Sequence, residues 1–532
     1  MTSYNLLIIR RIKKEANMST SGLDAMQQRC QQIVTSPVLT PEQKRHFLAL
    51  EAENNLPYPT LSQEARSALD AGFICDMFEG HAPFKPRYVL PDYARFLANG
   101  SEWLELEGAH DLDDALSLLT ILYHHVPSVT SMPVFLGHLD ALLQPYVRIL
   151  TQEDIDSRIK RFWRYLDRTL PDAFMHANIG PADTPVTRAI LRADAELKQV
   201  APNLTFIYDP DITPDDLLLE VVNNICECSK PHISNGPVND KIFTKGRFGV
   251  VSCYNSLPLA GGGSTLVRLN LKTIAEHSES VEDFFSRTLP HYCQQQIAII
   301  DARCHFLYEQ SGFFENSFLV KEGLIDPDRF VPMFGMYGLA EAVNTLCEKT
   351  GIHGRYGKDE QANALGYRIS EQLAAFVENT PVKYGWKLRA MLHAQSGISS
   401  DSGTTPGARL PYGDEPDPIS HLLAVAPHHK HYHSGISDIL TLDETIKRNP
   451  QAVVQLCLGA FKAGMREFSA NVAGNDLVRV TGYMVRLSDL EKYRAEGSRI
   501  NTTWLGEEAA RNTRILERQP RVISHEQQMR FS

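Results

Sequence analysis

Residues 204–225 read LTFIYDPDITPDDLLLEVVNNI, and this stretch decides the fold class. Leu204 to Tyr208 are strand formers, and Asp209, Pro210 and Asp211 make a turn. Thr213 and Pro214 then open a helix carrying Leu217, Leu218, Val221, Val222 and Ile225. A strand that feeds a helix is the unit of a parallel sheet, so the expected class is α/β. Downstream, past the irregular KPHISNGPVNDK, Phe248 to Ser252 (FGVVS) form a short buried-strand candidate ending at Cys253, where a strand end can present a reactive side chain. Upstream the pattern is helical. Leu112, Ala115, Leu116, Leu119, Tyr123 and Val126 recur at helical spacing, and a second helix runs from a Thr151 N-cap through Ile155, Ile159, Phe162 and Leu166.

Composition sets the outer bounds. The chain has 532 residues, 43% of them hydrophobic and 22% charged, which suits a globular protein with a large core and excludes disordered or collagen-like classes. The expected division is a tail at 1–22, a mainly helical part at 23–200, an α/β core with the cysteine loop at 201–465, and a C-terminal region at 466–532. A net charge of -11 offers no basic footprint for nucleic acid. No apolar run is long enough to span a membrane. The start, MTSYNLLIIRRIKKEANM, inverts the charge order of a secretory signal, and Met18 is an alternative start that would make the preceding residues non-native. Nine scattered cysteines, an odd number, point to a reducing cytoplasm rather than a disulfide scaffold. Cys226 and Cys228 lie close together, but without a second pair they read as small residues near a helix end, not as a zinc site.

Near the C-terminus stands RVTGYMV, Arg479 to Val485. Glycine between strand formers ordinarily marks a bulge or a close backbone approach. Here the flanks add something more: RVTGY resembles the radical loop of glycyl radical enzymes, in which an activating enzyme removes a hydrogen from the glycine Cα. The resemblance points to Gly482. Glycine suits that task because a Cα radical is delocalised between a donating amide nitrogen and a withdrawing carbonyl, and a side chain would oppose the planar centre. Such a radical is open to oxygen, so the resemblance implies anoxic work and chain cleavage at Gly482 in air. It also implies a cysteine that becomes a thiyl radical, and Cys253, in GVVSCYNSLPLAGGGSTLVRLNLKTIA, fits by its place after a strand. NLTFIYDPDITPDDLLLEVVNNI and PHISNGPVNDKIF are similar to the lyase-type branch, whereas GGGSTLVRLNLKTIA and MFGMYGLAEAVNTL (Met333 to Leu346) look more like anaerobic ribonucleotide reductase. The whole chain is similar to the YjjI family, related to both that reductase and the pyruvate formate-lyase type.

Departures from the better-understood branches matter as much. Tyr254 follows Cys253 where pyruvate formate-lyase relatives carry a second cysteine. Asn255 stands where eliminating members place a glutamate base, and an amide cannot accept that proton in the same way. After Cys347 only Cys457 remains, so the paired zinc-binding cysteines of the reductases are missing. Leu487 replaces an aromatic residue often found after the glycine loop.

The resemblance implies a barrel of two parallel half-sheets wrapped by helices, with the Cys253 and Gly482 loops meeting inside. It further implies a small-molecule substrate and a homodimer. Tyr254 and Asn255 are expected to line the cavity, and Asn270 is weighed between substrate contact and an ordinary satisfied amide. Arg479 is read as holding the radical loop, with a substrate anion as the alternative. The chain carries no CxxxCxxC cluster, so no cofactor is expected to be permanently bound. The radical would come from a separate activating enzyme that uses S-adenosylmethionine and an iron-sulfur cluster. His421, His428, His429, His431 and His433 are read either as surface or hydrogen-bonded groups or as a metal set; the expectation is no metal. Gly261 to Thr265 (GGGST) lack the lysine of a P-loop and read as a flexible loop. Residues 396–418 are either an active-site loop or an exposed linker. Two competing functions stay open: a noncatalytic binding or regulatory protein on the same scaffold, and a hydrolase or transferase that does not use radicals.

Overall fold

In chain order the strands are β1 (Ile74–Cys75), β2 (Tyr88–Leu90), β3 (Phe135–His138), β4 (His176–Ile179), β5 (Asn203–Tyr208), β6 (His232–Asn235), β7 (Phe248–Val251) and β8 (Asn255–Pro258). They continue with β9 (Gly261–Asn270), β10 (Phe330–Tyr337), β11 (Met391–Ala394), β12 (Leu440–Leu442), β13 (Glu467–Phe468), β14 (Ala470–Val472), β15 (Leu477–Arg479) and β16 (Met484–Arg486). The structure is a computed structural model and describes residues 22–37, 39–76, 84–128, 135–170, 174–394, 401, 403–482, 484–496 and 501–523. Met18 and Tyr483 lie outside the described residues.

Two half-sheets organise the chain. In the first, β3, β4, β5 and β6 run parallel in that order, and β13 closes the edge antiparallel to β6. In the second, β9, β10 and β11 are parallel, with β1 and β2 antiparallel on β9. Helices pack on both, giving the α/β class read from the sequence and the parallel half-sheets that the resemblance implied. The pairing of β4 with β5 carries the first half-sheet across residue 200, so the helical part and the α/β core share one sheet.

Local chemistry explains the elements. Asn203 to Ile207 are buried, as expected of a strand covered on both faces by helices and by the interior. The Thr151 hydroxyl caps its helix by accepting from the Asp154 amide at 3.2 Å. Helix Leu112–Tyr123 begins at Asp111, and Leu118 and Leu122 join the expected buried face, while Leu116 is only half-buried.

One expectation is corrected, and one of two open alternatives falls. Gly261 to Thr265 are the first half of a buried strand rather than a flexible loop. A Cβ on Gly262 would stand 2.0 Å from the Tyr88 carbonyl oxygen, and one on Gly261 would stand 2.2 Å from that of Arg329. Glycine is therefore demanded by close backbone approach. The described part of 396–418 is docked, not a solvated linker: Asp401 pairs with buried Arg268 at 2.7 Å, the Gly338 amide donates to Thr405, and Leu410 is buried.

Candidate active site

Two hairpins lie against these sheets. Strands β7 and β8 form the first, with Val251 paired to Asn255 and Ser252, Cys253 and Tyr254 at its tip. Ser252 (φ 51°) and Tyr254 (φ 63°) both adopt the left-handed region, which costs L-residues about 1–2 kcal/mol each. Surrounding bonds hold that tip in place. Asn178 of β4 clasps β7 through Nδ2 to the Val250 carbonyl (2.7 Å) and Oδ1 from the Val250 amide (2.8 Å). The Tyr88 hydroxyl donates to Ser252 Oγ at 3.2 Å, and Arg466 donates to Ser256 Oγ at 2.9 Å. The hairpin thus contacts β3 and β4 on one side and β9 and β10 on the other.

The second hairpin joins β15 to β16, with Arg479 paired to Met484. Its base is fixed by Asn471, which accepts from the Arg479 amide (2.7 Å) and donates to the Arg479 carbonyl (2.8 Å). The two tips touch. A Cβ built on Gly482 would lie 2.1 Å from Cys253 Cα, 2.5 Å from Cys253 N and 2.5 Å from Ser252 O. With a bond of about 1.5 Å added, the two Cα atoms are within about 3.6 Å of each other. Residues 229 positions apart are therefore in backbone contact in the interior. The Tyr254 hydroxyl ties the tips together by donating to the Thr481 carbonyl at 3.3 Å.

The wall behind Cys253 is polar and buried. His176 Nε2 stands 2.6 Å from Thr205 Oγ1, Thr205 Oγ1 stands 3.2 Å from His232 Nε2, and His232 Nε2 stands 3.3 Å from Glu467 Oε2. Ser234 donates to Glu467 Oε1 at 2.9 Å. The His232 ring meets the Tyr254 ring edge-on, with centroids 4.4 Å apart. Burial holds the His176 and His232 imidazoles well below their ordinary range, helped by the Arg479 charge. Burial also pushes the Glu467 carboxyl up to about 8, against the opposing pull of Arg466. At neutral pH this wall is therefore largely uncharged.

The expected site residues separate into two groups. Cys253, Tyr254, Asn255 and Gly482 come together. Asn255 donates to the Val251 carbonyl at 3.2 Å, and among the described residues its buried Oδ1 has no partner, nor does Thr481 Oγ1. Asn270 stands apart in function: Oδ1 caps a helix by accepting from the Thr273 amide, and Nδ2 donates to the Gly72 carbonyl, both at 3.3 Å. That spends its polar atoms on structure. The five histidines also go separate ways. His421 pairs with Asp438 at 2.5 Å, His428 sits between Ser370 Oγ and the Tyr356 hydroxyl, and His429 Nδ1 accepts from the Arg466 amide. Among the described residues no group of three His, Cys, Asp or Glu side chains converges as a metal set.

The sequence reading missed Asn178, Asn203, His176, His232 and Glu467. Their signal was period-two polarity inside buried strands: His176 and Asn178 in HANI, Asn203 and Thr205 in NLTFIY, His232 and Ser234 in HISN. One face of the sheet meets apolar helices, and the other meets the hairpins.

Paired half-sheets with a cysteine tip and a glycine tip in contact between them define the glycyl radical class. Among solved structures, the chain is similar to the glycerol-bound B12-independent glycerol dehydratase of Clostridium butyricum, with a TM-score of 0.68 and 13% identity over 94% of this chain and 88% of that one. It is likewise similar to the anaerobic ribonucleotide reductase of Thermotoga maritima in complex with dATP and CTP, with a TM-score of 0.62 and 14% identity over 90% and 89% of the chains. The chain belongs to the YjjI-like glycyl radical enzyme family, whose description matches residues 39–521. It is 87% identical over 515 residues to the YjjI protein of Escherichia coli (strain K12), covering 97% of this chain and 100% of that protein.

Proposed function

We propose that Gly482 stores an unpaired electron on Cα and that Cys253 carries it to a small-molecule substrate under anoxic conditions. The observation that carries this reading is the Gly482–Cys253 backbone contact, which excludes even a Cβ. The Gly482 radical takes the hydrogen atom of the Cys253 thiol, leaving a CαH2 glycine and a thiyl radical. That thiyl takes a hydrogen atom from a substrate carbon and becomes a thiol again. The substrate radical rearranges or eliminates, or is reduced by two electrons from an external donor with uptake of protons; it then takes the hydrogen back, and the thiyl returns to Gly482. Lyase and reductase outcomes share these steps.

Tyr254 and Asn255 border the reaction space, and the unpartnered Asn255 Oδ1 suits a hydroxyl or amino hydrogen of the substrate. Burial favours the chemistry because it keeps solvent and oxygen from the radicals. Installation of the first radical falls to a separate S-adenosylmethionine enzyme with an iron-sulfur cluster, and the working form is a homodimer. Nine free cysteines support a reducing, cytoplasmic setting.

Electron paramagnetic resonance after anaerobic activation tests the reading. A carbon-centred doublet in the wild type, kept in Cys253→Ser and lost in Gly482→Ala, supports it. Anaerobic metabolite profiling should then show turnover by the wild type and none by Cys253→Ser. No radical with a competent activating enzyme, or turnover that survives both substitutions in air, would favour the binding-protein or hydrolase alternatives.

A further inference from the structure

Asn203 is the first residue of β5, in the middle of the first half-sheet, and its side chain reaches the radical loop. Its Nδ2 donates to the carbonyl oxygen of Gly482. The orientation of the amide is fixed by its other end, because Oδ1 accepts from the Leu204 amide at 2.9 Å and from Arg479 Nη1 at 3.0 Å. Flipping the group would set its NH2 against two donors. The strand anchors it further through the Asn203 amide, which donates to the Met175 carbonyl at 2.8 Å.

Arg479 stands behind this amide. It is fully buried, its Nη2 donates to the Ser229 carbonyl at 3.2 Å, and among the described residues no carboxylate pairs with it. Its charge is therefore not locally neutralised, and in a low-dielectric interior it acts strongly on its neighbours. A cation bound to Oδ1 draws electrons from the amide and makes Nδ2–H a stronger donor, as hydrogen bonds in series reinforce one another. The recipient is the carbonyl over which a Gly482 Cα radical would spread.

Resting on the proposed Gly482 radical, we infer that Arg479 and Asn203 form a polarised clamp on the Gly482 carbonyl, with Asn203 as the positioning residue that stabilises the stored radical relative to the Cys253 thiyl. A more electron-withdrawing carbonyl deepens the delocalisation that makes glycine a radical store. The same bond holds the glycine tip against Cys253. No proton moves in this role; the bond is retained with and without the unpaired electron.

Asn203→Asp separates the clamp from mere packing. Aspartate keeps acceptors for Leu204 and Arg479 but replaces the donor facing Gly482 with an oxygen. The experiment uses full-length protein activated anaerobically in D2O, with electron–nuclear double resonance on wild type, on wild type carrying 15N-labelled asparagine side chains, and on Asn203→Asp. Expected in the wild type are a deuteron coupling from the carbonyl hydrogen bond and a weak 15N coupling. Asn203→Asp should lose the weak hydrogen-bond deuteron coupling, while the larger coupling of a deuteron exchanged onto Gly482 Cα remains, and hold about tenfold less radical at equal activation time, as befits loss of a charge-assisted bond. Circular dichroism of the unactivated variant checks folding. If the variant does not fold, the wild-type 15N measurement still decides, because its absence overturns the clamp. Unchanged couplings and radical content in folded Asn203→Asp overturn it as well, while leaving the Gly482 radical intact. No radical in the wild type removes the Gly482 reading and the clamp together.

Discussion

Replacing Gly482 by alanine does more than remove a hydrogen. The added methyl meets three backbone atoms, at 2.1 Å (Cys253 Cα), 2.5 Å (Cys253 N) and 2.5 Å (Ser252 O), and no rotamer change can relieve a clash with backbone. Reaching ordinary contact at 3.4 Å requires the tips to separate by about 1.3 Å. Overpacking of this kind costs about 1–3 kcal/mol. The glycine hairpin belongs to a small cluster of its own, in which Val478, Val480 and Val485 pack with Leu490, Ala509, Ala510 and Ile515, apart from the main core. Strain is therefore relieved by lifting this hairpin before the half-sheets open. Hydrogen exchange on unactivated protein should show local opening of 477–486 and 248–258 faster by about 5- to 150-fold in Gly482→Ala. Wild-type protection in both segments of the variant would refute the contact. The same reasoning makes Cys253→Ser the cleaner control for turnover, since Gly482→Ala disturbs geometry as well as chemistry.

Further outcomes follow from particular residues. Burial holds the His428 and His429 imidazoles down to about 3, while an unfolded chain takes these protons near 6.5, so stability present above pH 6.5 falls as pH drops toward 3, by about 1.4 kcal/mol per pH unit for each. Urea midpoints between pH 7 and 4 should flatten in His428→Gln and His429→Gln, and an unchanged slope would contradict the assignment. Glu467 has the opposite sign: the folded protein keeps a proton up to about pH 8 that the unfolded chain loses near 4.5, so stability declines as pH rises through that window. Glu467→Gln should be relatively more stable at pH 9 than at pH 5. Asn178→Ala removes both bonds to Val250 and leaves buried backbone groups unpaired, so a loss of about 1–3 kcal/mol in denaturant unfolding is expected, together with faster exchange of 248–258.

Much of this architecture was legible because it follows local rules. LTFIY, the DPD turn and the TP helix start are short-range signals, and the structure places β5 and helix Asp215–Cys228 there. The cysteine and glycine tips were legible through a resemblance in two short motifs. What stayed hidden depends on tertiary company. GGGST carries a loop-like composition, yet the crowding by Tyr88 and Arg329 that demands its glycines comes from residues far along the chain. Asn270 looked available until the helix it caps and the Gly72 carbonyl came into view. Asn203 and Glu467 lie on one half-sheet only because β5 and β13 both join it, and the alternating polar residues of β5 mark a polar face without announcing that this face meets the hairpins.

Transfer of a hydrogen atom between Gly482 and Cys253 can be watched directly in D2O. Cys253 is buried, so the protein is first equilibrated in D2O, before activation, until its thiol hydrogen has exchanged. Each reversible transfer then carries deuterium to Gly482 Cα, so the paramagnetic resonance doublet of the activated wild type should collapse to a narrow unresolved line. In Cys253→Ser the doublet should persist. A wild-type doublet that stays as sharp in D2O as the variant's would contradict the pairing of these two residues.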